Sequence, residues 1–188
     1  LAKKRPASPA LESPGADLYT KAMGAFWAEA LQDPTRLIEQ QAAYWGKSLQ
    51  HYVEVQQALA QGGASPPSEA APKDRRFSNP LWQTHPYFRL IRDQYLTNVE
   101  ALEQAVKGIE GLEAHDRRRV EYFTRQIADL MAPTNFLPTN PDALEKAVAT
   151  EGESLVLGLE HLVRDIETNH GDILVTLADR DAFKVGGN

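Results

Sequence analysis

Hydrophobic residues recur along this chain at helical spacing, in stripes divided by proline, glycine and asparagine. Leu18, Ala22, Phe26 and Ala30 form the first stripe, behind a capping Asp17. Asp33-Pro34 restarts the chain as N-cap and first helical residue, where the missing proline N–H does no harm. Ile38, Ala42, Trp45, Leu49, Tyr52, Gln56 and Leu59 then alternate steps of four and three. That is a heptad seam on a helix from Pro34 to about Gln61, spanning about 40 Å at 1.5 Å per residue.

A second set of stripes follows. His85-Pro86 opens a helix carrying Phe88, Ile91, Tyr95, Val99, Leu102 and Val106, closed by Gly108 and Gly111. A helix over 113–132 is predicted to turn Val120, Phe123, Ile127 and Leu130 inward. Pro133-Thr-Asn-Phe-Leu-Pro-Thr-Asn-Pro141 interrupts the pattern, with Asn135 and Asn140 placed to satisfy free N–H groups. A helix from Pro141 with Leu144 and Val148 inward comes next, broken at Gly152. A last helix carries Leu155, Leu159, Leu162 and Ile166, and Ile173–Leu177 reads as a possible short extended segment. The fold class is all-α: a helical bundle-like domain preceded by a tethered long amphipathic helix.

Composition sets the boundaries. Residues 1–16 hold three prolines among small residues and read as a disordered tail, and 62–76 reads as a flexible linker. This leaves a helical extension over 17–61 and a main domain over 77–188. A formal charge of −6, with the cations scattered among carboxylates, argues against nucleic acid as a partner. The basic run Lys3-Lys4-Arg5 reads as a solubilising tail. No apolar run approaches the roughly 20 residues of a membrane span, so the chain reads as cytoplasmic. It starts at Leu1, as a processed product or a piece of something longer would.

Candidate chemistry is sparse. There is no cysteine, hence no thiol catalysis, thiolate ligand or disulfide within the chain. Gly152-Glu-Ser154-Leu-Val156 resembles a nucleophile turn only until its fifth position, which is valine, and Ser154 reads as a capping or small packing residue. His51, His85, His115, His161 and His170 stand singly, without the i, i+4 partner of a helical zinc site. Asp116-Arg-Arg-Arg119 puts three cations near a helix start, where neighbouring carboxylates or a partner must offset them. No catalytic residue, metal ligand or cofactor is expected.

What remains are surfaces for other molecules. The seam through Ile38, Trp45, Leu49 and Tyr52 packs on the rest of the chain, on a second copy or partner helix, or on an apolar particle. Phe136 and Leu137, mid-loop, are wasted unless covered, either by their own helices or by another domain.

Four motifs carry a resemblance over 74–188: Asp74-Arg-Arg-Phe77 with Trp82, the 133–141 loop, Gly152-Glu-Ser-Leu155, and Phe183-x-Val-Gly-x-Asn188. Together they resemble the N-terminal region of the class I poly(3-hydroxyalkanoate) synthases, with 17–61 similar only loosely to a variable leading extension. The resemblance implies a parent that polymerises (R)-3-hydroxyacyl-CoA into polyester at a cysteine of a downstream α/β-hydrolase domain absent from this chain. By the same resemblance, this part is an inactive portion serving dimerisation and attachment to storage granules, with the catalytic domain, a second copy, granule-associated proteins and the polyester surface as partners. A stand-alone helical adaptor or phasin-like granule protein is the alternative.

Overall fold

The computed structural model describes residues 16–63 and 74–168. The tail before residue 16, linker residues 64–73, His170, the possible extended segment at 173–177 and the motif at 183–188 lie outside the described residues. Within them the chain forms seven α-helices and no strand. The helices are α1 (Ala16–Gln32), α2 (Pro34–Ala60), α3 (Leu81–Thr84), α4 (Pro86–Lys107), α5 (Ala114–Leu130), α6 (Pro141–Ala149) and α7 (Glu153–Thr168). The chain divides into two compact units, with the boundary between Pro141 and Asp142.

The first unit is built round α4. Phe77, Trp82, Phe88 and Tyr95 bury a run of rings with centroids 4.9 Å (77–82), 5.8 Å (82–88) and 6.0 Å (77–95) apart. Edge-to-face pairs of this kind add to the burial of the rings themselves. The run is held from outside by Arg76. Its guanidinium donates to Asp74 Oδ2 at 2.7 Å and to Asp129 Oδ1 at 2.8 Å, and lies 5.8 Å from the Tyr95 ring centre. Arg76 thus joins the chain before α3 to α4 and α5. Tyr95 in turn donates to the Ala128 carbonyl of α5.

Arg92 is a charge the stripe pattern does not place in the core. It is 1% exposed, and its guanidinium bonds the Asp93 carboxylate at 2.6 and 2.7 Å, which neutralises it locally.

The corner between α1 and α2 forms as its sequence predicts. Asp33 caps α2 by accepting from the Arg36 N–H, with Pro34 at the first position. Glu29 takes the Arg36 guanidinium at 2.9 Å and the Glu110 N–H at 3.1 Å, tying this corner to the end of α4. Leu18 is buried, as its stripe requires. The arginines of α5 are offset locally: Asp116 meets both Arg119 and Lys21, while Arg117 reaches the carbonyls of Lys107 and Glu110.

α2 runs antiparallel to α4, and the face that meets α4 is polar. Tyr44 donates to Asn98 Oδ1 at 2.9 Å, and Gln94 donates to Ser48 at 3.1 Å. His51 and Thr97 lie 3.0 Å apart, and Arg89 reaches Glu54 at 3.1 Å. Val55 and Ala58 complete the buried side. Apart from Glu54, these packed positions each lie one residue before a seam position: 44 before 45, 48 before 49, 51 before 52, 55 before 56 and 58 before 59. One residue turns a helix by about 100°. Among the described residues the seam is turned away from α4, with Ile38, Trp45, Leu49 and Tyr52 all exposed.

Two further expectations are corrected. Ile127 and Leu130 are exposed, because no described helix covers the last turn of α5, although Val120 and Phe123 are half-buried. Val148 is also exposed.

α2 and α6 end alike. At α2 the Gly63 N–H reaches the Ala58 carbonyl and the Gly62 N–H that of Leu59, with Gly62 at φ 96°. At α6 the Gly152 N–H reaches Ala147 and the Glu151 N–H reaches Val148, with Glu151 at φ 50°. Both are paired six-to-one and five-to-two closures.

In the second unit, α7 begins where the Thr150 hydroxyl accepts from the Ser154 N–H. Thr150 is therefore the cap there, and Ser154 is its small hydroxyl neighbour, 3.1 Å away. α7 buries no residue fully, and Leu155, Val156, Leu159 and Leu162 are exposed.

The one-residue offset on α2 has a direct test in denaturant unfolding at high dilution. Tyr44→Phe, which deletes the bond to Asn98, should cost about 1 kcal/mol, whereas Leu49→Ala, next to the packed face, should change stability by less than about 0.5 kcal/mol.

The Arg76 clasp has a pH signature. The hydrogen bond from the Arg76 side chain, ahead of other causes, holds the Asp74 carboxyl below its ordinary 3.8. Its contribution is complete above that value and is lost as pH falls from there through the lower folded-state value, because the unfolded chain takes up the proton first. Asp74→Asn should flatten this part of a urea-midpoint profile against pH.

Candidate functional site

Among the described residues, no three His, Cys, Asp or Glu side chains gather as metal ligands would, and no helix is long and apolar enough to cross a membrane. The surfaces that depart from an ordinary solvated exterior are apolar, and two of them belong to the first unit.

One is a groove of about 640 Å³ along α4, closed on its far side by the end of α5 and the loop after it. Ile91, Tyr95, Val99 and Leu102 form its floor, and Ile127, Met131 and Phe136 its outer wall. Such a volume is in the range of ligand and peptide sites.

The loop explains why that wall is apolar. It is two 3₁₀ turns, Pro133–Asn135 and Leu137–Thr139, with Phe136 extended between them. Asn135 donates its amide to the carbonyls of Asp129 and Leu130 at 2.8 and 3.1 Å, and Asn140 donates to Thr134 at 2.8 Å. Through these amides the asparagines meet carbonyls of the α5 end and of the loop itself. Thr139 donates to Pro133 and Tyr87 to Pro138, so the loop is fixed from both sides. With Pro133 buried and the polar side chains bonded back to the scaffold, Phe136 and Leu137 are left 46% and 40% exposed.

The other surface is the α2 seam, a ridge of Ile38, Trp45, Leu49 and Tyr52 with the Trp45 ring set edge-on to Tyr44 at 5.3 Å. Ridge and groove share a border. Gln94 and Asn98 line the groove and also bond Ser48 and Tyr44 of α2. On α4 the groove floor lies one residue beyond the α2-facing positions: 95 beyond 94, 99 beyond 98. On α2 the ridge is likewise one residue beyond. Because the helices are antiparallel, a step forward on each turns to the same side, so ridge and groove open on one face.

The six residues singled out by sequence therefore fall into two groups on α2 and on the loop. Sequence spacing did not reveal the groove between them, because its floor was counted as core.

Comparison with known proteins agrees with this reading of the chain as part of something larger. The family described as poly-beta-hydroxybutyrate polymerase (PhaC) N-terminus matches residues 73–188. The poly(3-hydroxyalkanoate) polymerase subunit PhaC of Rhizobium meliloti is 32% identical over 158 residues, covering 84% of this chain and 26% of the relative. That of Cupriavidus necator is 35% identical over 148 residues, covering 78% and 24%. Poly(3-hydroxyalkanoate) polymerase 2 of Ectopseudomonas oleovorans is 35% identical over 122 residues, covering 65% and 21%. The chain thus spans about a quarter of the length of the curated relatives it matches. No solved structure matches it. With the match covering well over half of the sequence, including the Arg76 clasp, all of α4 and α5 and the asparagine-braced loop, the chain belongs to the PhaC N-terminus family of poly-beta-hydroxybutyrate polymerases.

Proposed function

We propose that this chain is the non-catalytic N-terminal portion of a polyester synthase, whose parent joins (R)-3-hydroxyacyl-CoA units into poly(3-hydroxyalkanoate) and releases CoA. The observation that carries the reading is the family match over 73–188 on a chain with neither a cysteine nor the rest of its relatives' length. Polymerisation from a thioester needs an activated nucleophile and a base to serve it. These belong to the portion of the parent beyond this chain.

What this portion supplies is surface. The exposed Phe136 and Leu137 meet the catalytic domain of the same protein, and the ridge through Ile38, Trp45, Leu49 and Tyr52 serves contact with a second copy, with granule-associated proteins or with the polyester itself. The place of action is the cytoplasmic granule surface. The open apolar side of α7 supports this reading, since a helix with that many exposed aliphatic residues normally has something to cover it.

Two measurements test the proposal. The purified 188-residue chain should release no CoA from (R)-3-hydroxybutyryl-CoA, and turnover would overturn it. Supplied together with the remainder of the parent as a separate polypeptide, the chain should be retained on it. Phe136→Asp with Leu137→Asp should weaken that retention at least about tenfold. Retention unchanged by the pair removes the loop from the contact. A reading frame that ends at Asn188, with no cysteine-bearing lipase-like box beyond, favours the adaptor alternative.

A further inference from the structure

We infer that α2 is a releasable arm, which lifts off α4 as one unit while α3, α4 and α5 stay packed. The inference concerns movement within the first unit and does not rest on the proposed function.

The two sides of α4 are held by different forces. On one side Phe88 and Tyr95 are buried against Trp82 and Phe77, and the Tyr95 hydroxyl reaches the Ala128 carbonyl of α5. Towards α2 the helix offers Arg89, Gln94, Thr97, Asn98 and Glu100, and of these Thr97 alone is buried. α2 for its part buries Val55 and Ala58 and no larger side chain. Hydrogen bonds and ion pairs between side chains therefore hold α2, from Tyr44 on Asn98 and Lys47 on Glu100 to Glu54 on Arg89.

Such a contact separates at low cost. Water takes the place of each polar partner, so Thr97 stays satisfied in the open form, as it would not if α2 rolled in place. The fully buried apolar surface that returns to water is that of two small side chains, while the ring core remains shut. Polar contacts between parts of one chain are the ones expected to open.

The contact is also incomplete. A cavity of about 200 Å³ lies between the helices, lined by Gln40, Tyr44 and Lys47 of α2 and by Thr97, Ala101 and Gln104 of α4. It gives solvent a way to two members of the bonded row, Tyr44 and Thr97.

The ends of α2 suit a hinged motion. At its start Arg36 holds Glu29, which also accepts from the Glu110 N–H, so the corner stays tied to the body. At its far end the helix closes on its own carbonyls through Gly62 and Gly63, at φ 96° and 87°. The family match begins at residue 73, which places the ring core inside the shared portion and the arm outside it.

Native-state hydrogen exchange of the 188-residue chain, followed amide by amide where closing outruns exchange, tests the release. Amides in the middle of α2 should share one opening constant, at least about tenfold larger than that of the slowest α4 amides. Gln94→Ala, which removes the bonds to Ser48 and Tyr44, should raise the α2 constant about two- to tenfold. Tyr95→Phe, which removes the bond to Ala128, should speed the slowest α4 amides and leave the α2 constant unchanged, because the core it weakens is folded in the open and closed forms alike. Phe77→Leu repeats the comparison at the ring pair, in case one core variant fails to fold.

A single protection level for α2 and α4 overturns the inference. So does protection that declines gradually toward one end of α2, which is fraying and not release. Core variants in which α2 and α4 accelerate together overturn it as well, since the two helices then open in one step. A Gln94→Ala chain with unchanged α2 exchange removes the bonded row as the latch and overturns it too. CoA release and retention by the parental remainder decide the proposed function separately.

Discussion

The hydrogen-bonded row between α2 and α4 dictates the character of the whole surface. A helix can lay only part of its circumference on one neighbour, and α2 gives that part to Tyr44, Ser48, His51 and Val55. Each side-chain bond contributes modestly, about 0.5–1.5 kcal/mol net, but their partners on α4 would be left unpaired if the helix rolled to bury its aromatic seam instead. Thr97, the buried one among them, would lose His51, and leaving a buried polar group unmet costs more than a bond contributes. The seam is thereby held outward, and its exposure follows from satisfied polar groups next to it. The same row fixes α2 in level with α4, and so places the ridge beside the groove.

A comparable division governs the 133–141 loop. Its amides and hydroxyl reach back to carbonyls that the end of α5 and the turns leave free, and its prolines need no donor partner. Phe136 and Leu137 have no room on the scaffold side and become the rim of the groove. In both places polar side chains share the packing with a few smaller apolar residues while the large apolar side chains face out, against the usual arrangement.

That reversal explains which parts of the structure could be read from the sequence. The α1 stripe, the Asp33-Pro34 start of α2, the α4 stripe through Phe88 and Tyr95, and the break at Gly152 all follow from spacing and capping chemistry, and all are found. The face of α2 was missed by one residue because a count of hydrophobic positions favours Ile38, Trp45 and Leu49 over Tyr44, Ser48 and His51. Nothing local distinguishes a serine or histidine that meets a partner on α4 from one that meets water. The burial of Arg92 was hidden for the same reason, since its neutralising carboxylate is the next residue in the chain. The groove was invisible because Leu102 and Ile127 keep perfect helical periodicity while lying where no described helix covers them. Phe136 and Leu137 were legible, since apolar residues amid turn formers stand out.

The two helix ends built on the same closure differ in one residue. At the end of α2 a glycine holds the left-handed position; at the end of α6 that position falls to Glu151, and glycine comes next, at φ 89°. Gly152, the residue that gives Gly152-Glu-Ser its likeness to an enzyme turn, is thus required by a backbone angle closed to side chains. Across a set of relatives such a glycine would be as resistant to replacement as a residue of an active centre. Its persistence would record the punctuation between two helices, and a search guided by invariance alone would look for chemistry at the wrong turn.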